Sequence, residues 1–597
     1  MENIANTIHE NSFHLKKTST APEQEMKDFW KDLRHFYRTA EKNDREKESN
    51  TYHAALQNVI QKESAYPYKI IENHKEIILE EEENMPLFML DFIMSSYQIQ
   101  NRKKFKEDVK RVIEVLKTIL DVDSKSSQIL KLKENYGFAA EMIAFEKMVD
   151  LLPKSAKSDL SKSRIQRLKS ILNDLQKFSN FIEKQHGVVV YEKALKTVIE
   201  KNLLFKGVRT IEAKTNAFEL TEDLFKHEIK SFTILMKAFK MAQLEIEDEY
   251  EEEIHDDYFE HFNWHHLQED ELRLFVPVLC ITDQNYLNNH LTSFGKMMMV
   301  NHPVNVVIIN QELVSEPNPQ LKWVDSSYKF RQEIAALAIA QRNIFTFQST
   351  IAEPALLYEG VKKSLGSYAP SLIHISVPSN VRMTTLSRTL LANAANAGRY
   401  FPMVQYDPIK FSEWGRRFSI TSNIQPTNLW PSYSISIRSE DDEVQNIEVN
   451  FTYADYKAIF PEKVKELMII PAEFETDQLI PVSEFLEMDL KDRFEKIPFI
   501  YLADDNHELF KAAVPYVWIL SCQERADYWA FLQELAGFNS YKVRLAVEEK
   551  NKELNEVLEN ERKKLEEDRI KITQRAEEKA VATAAQRLVN ALMEGEI

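Results

Sequence analysis

Leu279 to Gln320 concentrates the residues whose types and spacing suggest a ligand site. The stretch reads LCITDQNYLNNHLTSFGKMMMVNHPVNVVIINQELVSEPNPQ. An apolar run ends at Asp283, helical material follows, and a second apolar run, Val304 to Asn310, ends in the polar turn Gln311-Glu312-Leu313-Val314-Ser315. Two parallel strands joined in this way present their carboxyl ends side by side, the place where open α/β sheets bind ligands. Other candidate groups are weaker. His255, His261, His265 and His266 follow an acidic block, but their spacing matches no zinc pattern. Arg416 and Arg417 could grip an anion between them, or pair with surface acids. His374 lies in an apolar run and reads as a core histidine, and Met297-Met298-Met299 reads as the buried face of a helix. No order or spacing supports a Ser/His/Asp or Cys/His arrangement.

The elements that must position Asp283 and Gln311 follow from periodicity. From about 271 to 405 the pattern is α/β, with strands predicted at 274–281, 304–310, 344–347 and 371–377. Helices are predicted at 288–299, 328–340, 353–364 and 387–397. Strands alternating with helices of this length imply βαβ units and a mostly parallel sheet. Residues 1–55 read as a polar, loosely ordered N-terminus with one helix near Glu23 to Glu41. Residues 56–250 read as a helical domain, with apolar residues at i, i+3, i+4 and i+7 in segments such as 111–120 and 164–182. Residues 245–260 hold ten acids and no Lys or Arg, so 251–270 reads as an acidic linker. Residues 406–545 read as an α+β extension. Residues 546–597 read as an amphipathic, coiled-coil-like tail helix, with Val547, Leu554, Leu558, Leu565 and Ile572 near heptad spacing and Glu561 and Asp568 interrupting the seam.

Composition narrows the function classes. The 597 residues carry a net charge of −18, which argues against nucleic acid as the main partner. No run reaches the roughly 18 apolar residues of a membrane span, and the start of the chain does not resemble a signal peptide. The expectation is a cytoplasmic protein. Two cysteines, Cys280 and Cys522, are too few for a four-iron cluster, which takes about four. Ten glycines leave few places for a phosphate-cradling loop.

The 279–320 stretch resembles the thiamine-diphosphate and Mg²⁺ motif of the pyruvate:ferredoxin oxidoreductase family, in a subgroup of large bacterial hybrid proteins. Thr282-Asp283-Gln284 stands where the family has Gly-Asp-Gly. Asn305-Val306 begins the next strand 22 residues after Asp283, the family spacing. Glu316 replaces the family's Asn, and Asn318-Pro319-Gln320 its Gly-Gly-Gln. Downstream, Ala369 to Pro378, Ala397 to Pro408, Ser412 to Ser419, Asn423 to Pro426 and Trp430-Pro431 resemble further family segments. Val514 to Trp518 and Trp529 to Gly537 resemble the subgroup's closing helix. The likeness spans about 270–550; residues 1–250 show none.

The resemblance implies an α/β domain of the thiamine-diphosphate-binding type. It implies Mg²⁺ ligation by Asp283, Gln311 and the Leu313 backbone oxygen, and cofactor contacts from Asp283, Gln284, Asn305, Gln311, Leu313 and Glu316. Thiamine diphosphate would be the electron sink for a 2-oxoacid. The pyrimidine-binding domain and iron–sulfur clusters would belong to partner subunits, and a homodimer is one compatible arrangement. Gln284 adds a side chain where backbone would meet phosphate, and Pro319 removes an N–H. Two readings therefore stand. The chain is a degenerate subunit or fragment of an oxidoreductase of this type, active as a 2-oxoacid:ferredoxin oxidoreductase component if active at all. Alternatively it is a non-catalytic interaction scaffold on the same fold.

Overall fold

The computed structural model describes residues 13–14, 21–41, 53–54, 67–72, 75–96, 99–136, 160–184, 187–312, 331–378, 387–410, 412–438, 444–504, 508–538 and 540–594. Its centre is an eight-stranded sheet of β1 (Val188–Tyr191), β2 (Arg209–Glu212), β3 (Val278–Asp283), β4 (Val304–Asn310), β5 (Phe345–Thr350), β6 (Ser371–Ser376), β7 (Val404–Tyr406) and β8 (Phe418–Ser419). The order across the sheet is β2-β1-β3-β4-β6-β5-β7-β8. The first six strands are mutually parallel, and β7 and β8 add on antiparallel. Strands β3, β4, β5 and β6 are almost wholly buried; β3 and β4 accordingly read as mostly apolar runs rather than alternating ones, while β5 and β6 also bury Thr346, Gln348, Ser349, Thr350, Ser371, His374 and Ser376.

Helices cover both faces. Along the whole chain the described helices include α1 (Glu23–Thr39), α2 (Met85–Ser96), α3 (Ile99–Tyr136), α4 (Lys162–Lys184), α5 (Ala217–Ile246), α6 (Glu252–Glu260), α7 (Gln284–Asn289), α8 (Leu291–Met299), α9 (Ile334–Ala340), α10 (Pro354–Leu365), α11 (Arg388–Ala397), α12 (Tyr453–Lys457), α13 (Tyr516–Leu535) and the mostly exposed α14 (Tyr541–Glu594). On one face Val190, Cys280, Val306 and Ile308 pack with Phe225 and Phe232 of α5, Leu168 and Leu175 of α4, and Phe294 of α8. On the other, Val189, Leu279, Val307 and Ile373 pack with Leu90 and Ile93 of α2 and Leu357 and Val361 of α10. The hairpin Tyr68–Glu72/Lys75–Leu79 leads into α2.

Beyond β8 comes an α+β extension. β9 (Ser432–Arg438) pairs with β10 (Val444–Asn450). A second sheet runs β11 (Met468–Ile470), β14 (Leu509–Ala513), β13 (Ile497–Ala503), β12 (Leu479–Pro481). Helix α1 lays Trp30, Leu33 and Phe36 against this sheet. The chain divides into two compact units, Met1–Trp529 and Ala530–Ile597; the second holds α14, 54 residues long.

Two expectations change. Residues 56–250 are not all helical: the hairpin, β1 and β2 fall there, and β1 and β2 complete the central sheet. The expected linker at 251–270 is folded into α6 and a following turn, where Phe259, Phe262 and Leu267 are buried in the sheet's helical cover. These three apolar side chains outweigh the repulsion of the surrounding acids, which point outward.

Candidate functional site

The strand order makes β1 and β3 the switch point of the parallel sheet. From β1 the chain crosses one way to β2, then returns past β1 to β3 on its other side. The loops after β1 and β3 therefore diverge and leave a crevice at their carboxyl ends. Two acids stand there. Glu192 follows β1 and is buried. Its Oε1 accepts the backbone N–H of Asp283, the last residue of β3. Burial pushes the Glu192 carboxyl up to about 7; the Asp283 N–H opposes this and the Asp283 charge adds to it. Near neutrality Glu192 thus holds a proton part of the time.

Asp283 is also the N-cap of α7: its Oδ1 accepts the Tyr286 N–H at 2.6 Å. Gln284, the first residue of α7, is buried. Its Nε2 donates to Asn288 Oδ1 at 3.0 Å, and its Oε1 lies 2.9 Å from His374 Nε2. His374 on β6 reaches Gln348 on β5 through Nδ1, 2.8 Å from Gln348 Oε1, and Gln348 Nε2 donates to Pro402 O at 2.7 Å. Burial, with Arg331 second, drives His374 down to about 3, so the ring is neutral. A neutral imidazole has one N–H. One contact is therefore a donated bond, and the other requires a glutamine amide turned so that its NH₂ faces the ring.

Gln311 lies just past β4. Asp283 pairs with Ile309, so Gln311 stands two residues beyond that pair on the neighbouring strand. The structure brings these two expected ligands to the same carboxyl edge. Gln311 Nε2 donates to Glu83 Oε1 at 2.7 Å. Asn305 is elsewhere. It pairs with Leu279 and Ser371 at the amino ends of the strands, where its Oδ1 accepts the Ser371 hydroxyl at 2.6 Å. Four residues at roughly 3.3 Å each separate it from Ile309. Leu313 and Glu316 lie outside the described residues.

Acids from the segment before α2 line this edge further along. Glu81 Oε1 accepts the Thr389 N–H at 2.6 Å, in the first turn of α11. The neighbouring Leu390 N–H goes to the Ser387 hydroxyl at 3.3 Å. Glu83 Oε2 lies 3.8 Å from Arg388 Nη2, whose Nε donates to Pro378 O at 3.0 Å just after β6. A helix N-terminus attracts anions through its unbonded N–H groups and its dipole. Here the protein's own carboxylate takes that place.

Sequence reasoning did not single out Glu192, Gln348, Glu81 or Glu83. Glu192 had a visible signal, an acid directly after the Val188-Val189-Val190-Tyr191 run, the same strand-then-acid pattern that drew attention to Asp283. Most of the other candidates settle into structure; of the methionine triplet Met297 and Met298 are buried, but Met299 is exposed, since three consecutive residues span too wide an arc of a helix to share one face. His255 Nδ1 accepts the Glu251 N–H at 2.9 Å, and His266 caps its own turn through Asn263. Arg416 pairs with Glu413 at 3.4 Å. Both thiols are buried and pushed up to about 12. Among the described residues no three His, Cys, Asp or Glu side chains gather in a way that could hold a metal, and no helix is long and apolar enough to cross a membrane.

No protein-family model matches the chain, and no curated protein matches it.

Proposed function

We propose that this chain is a non-catalytic interaction scaffold built on an α/β domain of the thiamine-diphosphate-binding type, related to the 2-oxoacid oxidoreductases. One observation carries the reading: the anion-binding end of α11 holds the Glu81 carboxylate. The residues at the crevice do not fit magnesium and thiamine diphosphate. Asp283 spends an oxygen capping α7, Gln284 is tied into the His374 bridge, and Gln311 turns its amide to Glu83. A diphosphate would meet Glu81, Glu83 and Asp283, three acids, with no glycine loop to donate N–H groups.

A second reading is a degenerate component of an oxidoreductase complex, with the pyrimidine-binding domain and iron–sulfur clusters on partner chains. The placement of Asp283 and Gln311 at adjacent carboxyl tips of parallel strands favours it. Calorimetric titration of the full chain with Mg²⁺ and thiamine diphosphate separates the two. The scaffold reading expects no saturable heat and no shift in melting temperature at millimolar cofactor. Saturable binding that disappears in Asp283→Asn would establish the second reading instead, because Asn still caps the helix but loses the charge a metal needs.

A further inference from the structure

In a chain of net charge −18, one stripe on the outer side of α1 is basic, with exposed Glu23, Glu25 and Asp28 beside it near the helix start. Lys27, Lys31, Arg34 and Arg38 are all exposed. Their spacing of four, three and four places them within roughly 60° of arc at about 100° per residue, a stripe about 16 Å long. Lys27 is paired with Glu23. Arg34 and Arg38 reach a hollow of about 240 Å³ between α1 and the extension, to which Arg493 and Lys496 add positive charge and Glu495 the one acid. A broader groove of about 640 Å³ continues along Lys27 and Lys31 over Trp30. At the rim of the hollow Leu490 is 82% and Phe494 80% exposed. Large apolar side chains held in water beside a cationic stripe mark an interaction surface.

The same chain carries the complementary surface. On α6, Glu253, Asp257 and Glu260 are exposed at the four-three spacing found among Lys27, Lys31 and Arg34. Beside this acidic stripe stand Ile254 and Tyr258, one turn apart and 59% and 42% exposed. Neighbouring acids that serve the fold, Glu245 and Glu252, are already held by Arg164 and Arg167. Among the described residues the stripe acids have no Lys or Arg partner of this kind; Asp257 lies 3.7 Å from the exposed His261.

We propose that α6 of a second copy docks along α1, its acids on the basic stripe and Ile254 and Tyr258 against Leu490 and Phe494. The two surfaces differ, so the contact is head-to-tail, and a complex of two copies leaves one face of each kind open. Growth to rings or short filaments follows unless the geometry closes at once. The inference goes beyond the scaffold reading and holds whatever the crevice binds.

Sedimentation velocity of the full chain tests it. Association is expected to rise with protein concentration and to weaken when salt is raised from about 0.05 to 0.5 M, as contacts between exposed charges do. Two neutralised variants decide it: Lys31→Gln/Arg34→Gln/Arg38→Gln, and Glu253→Gln/Asp257→Asn/Glu260→Gln. Each alone is expected to associate at least about tenfold more weakly, which corresponds to about 1.4 kcal/mol. Their mixture retains one intact pair of faces and is expected to stop at a one-to-one complex. All six positions are exposed, and melting curves matching the parent chain confirm folding. A parent chain that stays monomeric throughout, or association that survives either neutralisation, overturns the proposal. So does loss of association in both variants without recovery on mixing.

Discussion

Arg399 is fully buried, and among the described residues no carboxylate faces it. Its guanidinium donates instead to four backbone oxygens, those of Ile424, Gln425, Asn428 and Leu429. It also lies 3.9 Å over the Trp529 ring. Burial pulls this arginine down to about 9. The residue sits at φ 55°, a left-handed conformation that L-residues adopt at a cost, so its side-chain contacts hold the turn after α11. Arg399→Lys keeps the charge but cannot fork to four acceptors. Chemical denaturation is expected to show a loss of about 3 kcal/mol. Glu192 gives a pH signature. Its folded value of about 7 lies above the unfolded value near 4.5, so its contribution is fully present below pH 4.5 and is lost as pH rises through 7. Glu192→Gln keeps an acceptor for the Asp283 N–H without a charge. The melting temperature of this variant is expected to match the parent near pH 4.5 and to exceed it increasingly up to pH 8. A constant difference across that range would show that Glu192 stays ionised in the fold.

The Gln284–His374–Gln348 bridge joins three elements, α7, β6 and β5, through one neutral ring. Removing the ring leaves two buried amides short of a partner, whereas replacing all three polar groups leaves none. His374→Leu is therefore expected to cost about 2–4 kcal/mol in denaturant titrations, and Gln284→Met/His374→Leu/Gln348→Met to recover most of that. If the triple variant is as unstable as the sum of its parts, the bridge is not a unit. These elements also show what a sequence reveals. Val304–Asn310 was legible residue for residue, because seven consecutive buried positions leave a run that is apolar except at Asn305 and Asn310 and is bounded by polar turns. Ser387 was placed at the start of a helix and caps it. β1 and β2 escaped because each is four residues long and set among amphipathic helices. A run that short carries too little periodicity to separate strand from helix. At the crevice, Asp283 and Gln311 were legible from strand ends. The bridge and the Glu81 and Glu83 contacts were not, since they join positions between 26 and 308 residues apart.

At the scale of the whole molecule the feature to explain is α14, 54 residues long or roughly 80 Å at 1.5 Å per residue. Nearly every described side chain on it is exposed. A helix this long keeps its form in water through short-range pairs, and α14 has Lys550–Glu553, Glu566–Arg569 and Asp568–Lys571. Its apolar residues form half a coiled-coil seam. One row runs Asn551, Leu558, Leu565, Ile572; the other begins with Val547 and Leu554 and then meets Glu561 and Asp568. Two acids of like charge facing their counterparts across a parallel homodimer would be buried and unpaired, so self-pairing is disfavoured while a partner helix with basic residues at those levels is not. A peptide spanning 541–597 is expected to melt broadly, independent of concentration. Glu561→Leu with Asp568→Leu completes the second row, and that peptide is expected to melt cooperatively at a temperature that rises with concentration. Concentration-dependent melting of the unaltered peptide would instead make α14 a self-pairing element and place the two acids where they tolerate each other.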